Sequence, residues 1–175
     1  MSSLRRATSA DAAAIVALVE RCYRGEASRA GWTTEADLLD GHRTDLQEIL
    51  RALATPNTSI WLLDGVEEGV LGSVRLDFDP RDASVLLGMF AIEPTRQNQQ
   101  LGRKVLAAAE DRMRALGATL GRMHVLVQRH ELLAWYVRRG WRQTTTHVPF
   151  PYDEPHHGLP RRDDLEFVVL EKPLV

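Results

Sequence analysis

A strand-like run, a polar loop and an amphipathic run follow one another in residues 85–116, and this stretch constrains the fold most strongly. Residues 85–92 are apolar apart from one glycine, which is typical of a central strand covered on both faces. Pro94 cannot donate to a sheet ladder, so the strand should end there. Apolar residues recur at helical spacing over residues 101–116, and Gly117 should end that helix. A helix that starts after such a loop leaves its first N–H groups available to an anion.

Positive charge stands at the same end of the predicted helix. Arg96, Arg103 and Lys104 lie in or just after the loop, and the helix dipole favours negative charge there. The stretch therefore predicts a pocket for a phosphate or pyrophosphate. The alternative for Arg103 and Lys104 is a solvated helix face that binds nothing.

The rest of the chain predicts further strands and helices around this unit. Strands are expected near residues 4–7, 59–63, 70–78, 122–128, 141–148 and 165–170, and helices over 15–22, 33–54 and 131–139. The second of these helices should start at Thr33 or Thr34, with a break near Gly41. Residues 25–31 and 149–164 are expected to be loops. The order predicts one mixed sheet with helices on both faces.

Composition excludes several classes of protein. A length of 175 residues fits one domain with a sizeable core. The net charge of −2 gives no general attraction for nucleic acid, and no apolar run reaches the ~20 residues that span a bilayer. Cys22 is the only cysteine, so we expect a small buried side chain there, no internal disulfide and a reducing compartment. With no secretory signal in the first residues, the expected location is cytoplasmic.

Two motifs, in order, resemble those of the GNAT superfamily of N-acetyltransferases. Ile92-x-Pro-x-x-Gln-x-x-Gln-x-Gly102 is similar to the acetyl-CoA loop, usually V-x-P-x-x-[RQ]-x-x-G-x-[GA]. Ala134-Trp-Tyr-Val-Arg-Arg-Gly-Trp141 is similar to the second signature, an aromatic helix that ends in Y-x-x-x-G-F. The spacing between them fits one helix and one strand. One position departs from the pattern, because Gln100 stands where the loop has its first glycine, and glycine permits unusual φ angles.

The resemblance implies a fold and a domain. We expect a GNAT-like α/β (α+β) fold, with a mixed, mostly antiparallel sheet of about six or seven strands and helices on both faces. The central strands should splay apart at the cofactor site. Residues 1–175 should form a single N-acetyltransferase domain.

The resemblance also implies cofactor contacts, with acetyl-CoA as co-substrate. The strand that ends at Ile92 should present backbone groups to the pantetheine arm, and the loop should hold the pyrophosphate. The expected cofactor-binding residues are Phe90, Ala91, Ile92, Gln97, Asn98, Gln99, Gln100, Leu101, Gly102, Arg103 and Lys104.

The expected catalytic residues are Tyr136 and Glu93. By resemblance, Tyr136 should protonate the departing thiolate; the alternative is an aromatic side chain that only packs the helix on the sheet. Acyl transfer also needs a neutral amine. Glu93, at the end of the central strand, is the first candidate base, although a solvated carboxylate is the alternative. The other candidates are Asp77, Asp79, Glu131 and His130.

The resemblance also implies where the acceptor amine binds. Trp32, Asp77 and Tyr152 are the expected substrate-binding residues, and acids in the 149–164 loop would suit a cationic amine. We expect an N-acetyltransferase that acts on a primary amine of a small molecule or peptide by direct attack; the alternative is a CoA-binding module without turnover. No nucleic acid or membrane partner is expected, and a homodimer stays open. No metal is expected, because no acid or cysteine stands at ligand spacing from His147, His156 or His157.

Overall fold

The computed structural model describes residues 4–175. Its strands are β1 Arg5–Arg6, β2 Leu39–Asp40, β3 Thr58–Gly65, β4 Gly69–Asp79, β5 Ser84–Ile92, β6 Leu120–Leu126, β7 Arg142–Pro149, β8 Leu159–Pro160 and β9 Glu166–Pro173. Its α-helices are α1 Ala12–Tyr23, α2 Leu46–Ala54, α3 Leu101–Ala115 and α4 His130–Val137. Short 3₁₀ turns lie at Ser9–Asp11, Glu26–Ala30, Pro94–Gln99 and Pro155–His157.

Seven strands form one sheet in the order β1-β3-β4-β5-β6-β9-β7. All neighbours pair antiparallel except β5 and β6, which are parallel. The crossover between these two strands is α3, as a parallel pair requires. The predicted mixed, mostly antiparallel sheet is therefore confirmed.

Each face of the sheet carries its own core. On one face, α1 and α2 bury Ile15, Leu18 and Ile49 against the sheet. On the other face, α3 and α4 contribute Leu106, Met113, Leu133 and Tyr136, together with Trp141 from the loop before β7. Helices on both faces, as predicted, leave β5 covered from both sides.

A β-bulge in β5 changes which side chains face each core. Gly88 pairs with Arg75 and Ala91 pairs with Ser73, so β5 uses three steps where β4 uses two. Met89 takes up the extra residue with φ +45°.

The bulge shifts the alternation of β5 by one position. Val85 and Leu87 belong to the α3 core, whereas Met89 and Ala91 belong to the α1 core. Ile92 lies again on the α3 side, with Phe90 packed against the same core. The bulge therefore turns Phe90 toward α4.

The central strands β5 and β6 separate after Leu86, just before the bulge. β5 and β6 pair over only three residue pairs, from Ser84–Leu120 to Leu86–Arg122. β5 continues to Ile92 against β4, and β6 continues to Leu126 against β9. The expected splay is confirmed, and it leaves a gap in the middle of the sheet.

The predicted helix at residues 33–54 is wrong in its first half. The segment before α2 contains only the two-residue strand β2, which pairs with β8, and Gly41 has φ +77°. The helix starts after Asp45, whose carboxylate accepts the Glu48 N–H at 2.8 Å. The earlier residues include a turn, in which Leu38 N and Leu39 N both donate to Glu35 O at 2.9 Å.

Two predicted loops contain short regular elements. Residues 25–31 form a 3₁₀ turn at Glu26–Ala30. The 149–164 loop includes β8, and Arg161 N donates to Leu38 O at 2.9 Å. The long loop is thus tied to the segment that follows α1. No helix in residues 4–175 has both the length and the apolar character needed to cross a bilayer.

Candidate functional site

A cavity of about 450 Å³ lies where β5 and β6 separate, within the size range of small-molecule sites. Its walls come from both strands, the start of α3, α4, the end of α1 and parts of residues 31–43 and 150–157. Eight residues predicted from the sequence line it: Trp32, Phe90, Ile92, Gln97, Gln100, Gly102, Arg103 and Tyr136.

The other predicted residues lie elsewhere in the described chain. Ala91 is buried in the α1 core, and Leu101 packs against the α3 core. Asn98, Gln99 and Lys104 are exposed and do not line the cavity. Any contact from these five residues to a ligand would have to come from the backbone or from outside the cavity.

The start of α3 offers unpaired N–H groups to the cavity. Its first intrahelical donor is Lys104 N, which bonds to Gln100 O at 3.2 Å. No side chain of the described residues caps the helix, so the N–H groups of Leu101, Gly102 and Arg103 lack such a partner. This geometry suits an anion.

Gln100 adopts a backbone conformation that favours glycine. It has φ +60° and ψ +12°, in the left-handed region. A side chain in this region costs about 1 kcal/mol relative to glycine. Gln100 therefore has a left-handed conformation at the position where the motif has glycine.

Gln97 connects the anion loop to the acceptor side of the cavity. Its amide oxygen accepts Trp32 N at 2.9 Å. Its amide nitrogen donates to Thr33 Oγ1 at 2.7 Å and to Ile92 O at 3.1 Å. Even a methyl group on Gly31 would collide with it, at 2.4 Å from Oε1.

The carbonyls predicted to meet the pantetheine arm already have partners. Tyr23 Oη donates to Phe90 O, and Ile92 O accepts from Gln97 and, at 3.1 Å, from Cys22 Sγ. Cys22 is buried and free, as expected, and burial raises the pKa of its thiol to about 12.

Tyr136 lies on the cavity wall among aromatic rings. Its ring centroid is 5.2 Å from that of Trp135 and 6.4 Å from that of Phe90. Burial raises the pKa of its phenol far above the ordinary value, with a further increase from Tyr23. The phenol therefore stays protonated at neutral pH.

The carboxylates predicted for the active site do not reach the cavity. Glu93 binds Arg21 on α1, with an Oε2–Nη2 distance of 2.8 Å. Asp77 pairs with Arg75 at 2.8 Å and accepts Thr58 Oγ1 at 2.7 Å. Neither lines the cavity, because these partners hold both side chains elsewhere.

Tyr152, an expected substrate-binding residue, does not line the cavity. Its hydroxyl accepts Leu165 N at 2.8 Å and donates to Arg162 O at 3.1 Å. Its ring packs edge-on against Phe150, which does line the cavity. Tyr152 therefore positions the long loop and supports Phe150.

A buried ion cluster, missed from the sequence, lines part of the cavity. Glu35 Oε2 binds Arg24 at 2.6 Å and Oε1 binds Arg129 at 3.0 Å. Burial opposes ionisation of Glu35, but Arg129, Arg24 and Arg43 outweigh it and lower its pKa. Since Glu35 remains ionised between two arginines, it is a poor proton acceptor.

A second cluster of positive charge stands at the α3 end of the cavity. The Arg139 guanidinium lies 3.7 Å from the Trp135 ring centroid and donates to Trp135 O at 2.8 Å. Burial, followed by repulsion from Arg138 and Arg103, lowers the pKa of Arg139. Like charges close together at a helix N-terminus favour an anionic ligand.

One expectation about His156 and His157 is wrong. Glu154, His156 and His157 each bring a ligand atom to within 4.8 Å of the others, so the expectation that no acid stands near these histidines is wrong. All three side chains are exposed.

His124 lines the cavity, and burial lowers its pKa.

The comparisons with known proteins agree with this geometry. The model of the acetyltransferase (GNAT) family matches residues 13–141. The chain belongs to the acetyltransferase (GNAT) family. It is thus an acyltransferase of a family that generally uses acetyl-CoA. No curated protein gives a significant match.

Solved GNAT structures share the fold along nearly the whole chain. The ribosomal-protein-S18-alanine N-acetyltransferase of Escherichia coli has a TM-score of 0.72 and 14% identity, covering 99% of this chain and 94% of that one. A chimera of the Vibrio cholerae spermidine N-acetyltransferase SpeG and hSSAT has a TM-score of 0.69 and 13% identity, with coverages of 98% and 96%. A Streptococcus mutans protein has a TM-score of 0.73 and 11% identity, covering 99% of each chain. At these identities the likeness shows the fold alone.

We expect Gln100→Gly to stabilise the ligand-free protein by about 1 kcal/mol, because it removes a left-handed side-chain conformation. Asn98→Gly is the matched control: Asn98 is exposed, is not among the positive-φ residues and makes no side-chain hydrogen bond within the described chain. It should lose about 0.5–1 kcal/mol through backbone entropy. Urea unfolding measures both. Equal losses in the two variants would contradict the strain assigned to Gln100.

Proposed function

We propose that this GNAT protein transfers an acetyl group from acetyl-CoA to a primary amine of a small molecule or peptide by direct attack. The observation that carries the proposal is a single cavity shared by three features. These are the uncapped start of α3, the separated strands β5 and β6, and the protonated phenol of Tyr136.

The residues at the α3 end fit the diphosphate of the co-substrate. Free N–H groups at the first turn of α3 and the nearby guanidinium of Arg103 would hold it. Arg139, half-buried against Trp135, adds positive charge on the same side. The gap between β5 and β6 would receive the pantetheine arm, because their backbones no longer pair there.

In the reaction, the neutral amine forms a bond to the thioester carbonyl carbon and the carbon–sulfur bond breaks. Tyr136 would donate its proton to the leaving thiolate, because its phenol is protonated at neutral pH. The attacking nitrogen would lose its extra proton to solvent in the cavity, and the Tyr136 phenolate would regain a proton from solvent. Glu93 and Asp77 have no role in this proposal, because their carboxylates are held outside the cavity.

The class of acceptor has limited support from the structural neighbours. Two are named for spermidine and for the alanine of a ribosomal protein, and both acceptors are amines. These names support an amine as the acceptor without choosing among amines.

Release of free CoA thiol from acetyl-CoA, with a broad panel of amines and peptides, tests the proposal. We expect amine-dependent thiol release and an acetylated product of the matching mass. Tight acetyl-CoA binding without turnover on any amine would instead favour a CoA-binding module, an alternative to which Gln100 at the glycine position points.

Tyr136→Phe should lower kcat by about 10²-fold, because it removes the proton for the leaving thiolate. Acetyl-CoA affinity, measured by calorimetry, should stay nearly unchanged. Tyr152→Phe is the comparison, since this phenol lies outside the cavity; it removes hydrogen bonds that position the long loop, so it should lower thermal stability and should lower kcat much less than Tyr136→Phe does. A fully active Tyr136→Phe variant would remove Tyr136 from the mechanism.

Gly102→Glu should weaken acetyl-CoA binding at least about tenfold, because it sets a carboxylate beside the phosphates. Gly102→Ala is the control for added bulk. A methyl group there would lie 3.5 Å from the Trp135 ring, an ordinary contact, so Gly102→Ala should bind nearly as well as the wild type. Equal affinities for the two variants would mean that the phosphates bind elsewhere.

A further inference from the structure

We propose that the acceptor amine carries a carboxylate, and that Arg24, Arg43 and Arg129 form the site that binds it. We call these three residues the acceptor-side arginines. The inference deepens the proposed function and rests on it, because it names the chemistry of the molecule that receives the acetyl group.

The charge on the part of the cavity wall formed by residues 24–43 and Arg129 is unbalanced. All three acceptor-side arginines line the cavity, and Glu35 is the only carboxylate among the described residues that line it. Glu35 is already bound by Arg24 and Arg129. One negative charge among three positive charges leaves an excess that a bound anion would compensate.

Arg43 carries most of this excess. It is half-buried, and within the described residues no carboxylate oxygen lies within 4.0 Å of its guanidinium. Its guanidinium carbon instead lies 5.6 Å from the ring centroid of Tyr23. Cation–π contact offsets only part of the desolvation of such a group, so Arg43 has hydrogen-bonding capacity to spare.

Arg24 is also incompletely paired. Its side chain is only 4% exposed, and its Nε is buried without a hydrogen-bond partner in residues 4–175. A buried donor without a partner costs free energy that a ligand could recover. Two of the three arginines therefore have unmet bonding capacity beside one cavity.

Tyr23 lies between the guanidinium groups of Arg43 and Arg129 and the β5 strand, so it gives the approximate distance between them. The guanidinium carbons of Arg43 and Arg129 are each 5.6 Å from its ring centroid. Its hydroxyl donates to Phe90 O on β5, the strand that would hold the thioester. The positive charges thus lie about one tyrosine side chain away, so one small molecule could place its amine at β5 and its carboxylate at the arginines.

The same charges disfavour a polycationic acceptor. A polyamine would bring ammonium groups against the acceptor-side arginines, and this repulsion discriminates between acceptors. The acids of the 149–164 loop, which suggested a cationic amine from the sequence, do not line the cavity in the described chain. The acceptor-side arginines, which do line the cavity, are positively charged.

A purely structural role is the competing explanation for two of the arginines. Arg129 holds Thr33 O and Glu35, and Arg24 holds Glu35 and lies 3.4 Å from His157 O. Both therefore fix loops around the cavity. Arg43 makes no side-chain hydrogen bond within residues 4–175, so its replacement tests ligand binding with the least damage to the fold.

The experiment compares amino acids with their carboxamides as acceptors, for the wild type, Arg43→Gln and Arg43→Lys. We expect the wild type to use the carboxylate form, with a ratio of kcat/KM values that falls on the order of tenfold in Arg43→Gln. Arg43→Lys, which keeps the charge, should retain most of the ratio. Intrinsic amine reactivity cancels, because the same two acceptors are compared across proteins.

Two results would overturn the inference. One is a ratio that is unchanged in Arg43→Gln although the variant has the thermal stability of the wild type. The other is a wild type that prefers spermidine to every amino acid in the panel.

Failure of the proposed function would be visible separately. If no amine is acetylated, calorimetric titration of the CoA-bound protein with the same acceptor pairs decides the inference. Tighter binding of the carboxylate form, lost in Arg43→Gln, would support an anion site in a protein without turnover. Equal binding of the two forms would reject the site as well.

Discussion

The loss of pairing between β5 and β6 is the constraint on which the site depends. Backbone groups of two adjacent central strands normally satisfy one another, yet these strands pair over only three residue pairs. Both remain anchored on their outer sides, β5 to β4 and β6 to β9. The gap between them is therefore held open by the sheet itself, and a linear ligand arm can enter it without local unfolding.

Contacts across the cavity join its two ends into one unit. Gln97 holds the anion loop against Trp32 and Thr33, and Arg129 at the start of α4 holds Thr33 and Glu35. The segment after α1 is thus fixed by groups from both the α3 side and the α4 side. Such a cage of hydrogen bonds preorganises the cavity and lowers the entropy cost of binding.

The sequence predicts the sheet, the anion loop and α3 well, because their signals are local: an apolar run, a proline and helical spacing. It fails where distant partners decide. Thr33 and Thr34 look like a helix start, but Glu35 is bound by Arg24 and Arg129, and the segment forms a turn instead of a helix. The sequence also gives no sign of the ion pair between Arg21 and Glu93. The arginines at residues 24, 43 and 129 are separated along the chain, so no spacing rule could bring them together.

The β-bulge at Met89 has a consequence for how this strand tolerates insertions and deletions. Deleting one residue from a central strand normally moves every side chain beyond the deletion to the opposite face of the sheet. Here the strand already contains one residue too many, so loss of Met89 would leave Phe90 and Ile92 on the α3 side, although the α1 core would lose the buried Met89 side chain. In a shortened protein of this kind the alternation of β5 would survive, and the local bend that a bulge introduces beside the gap would be lost.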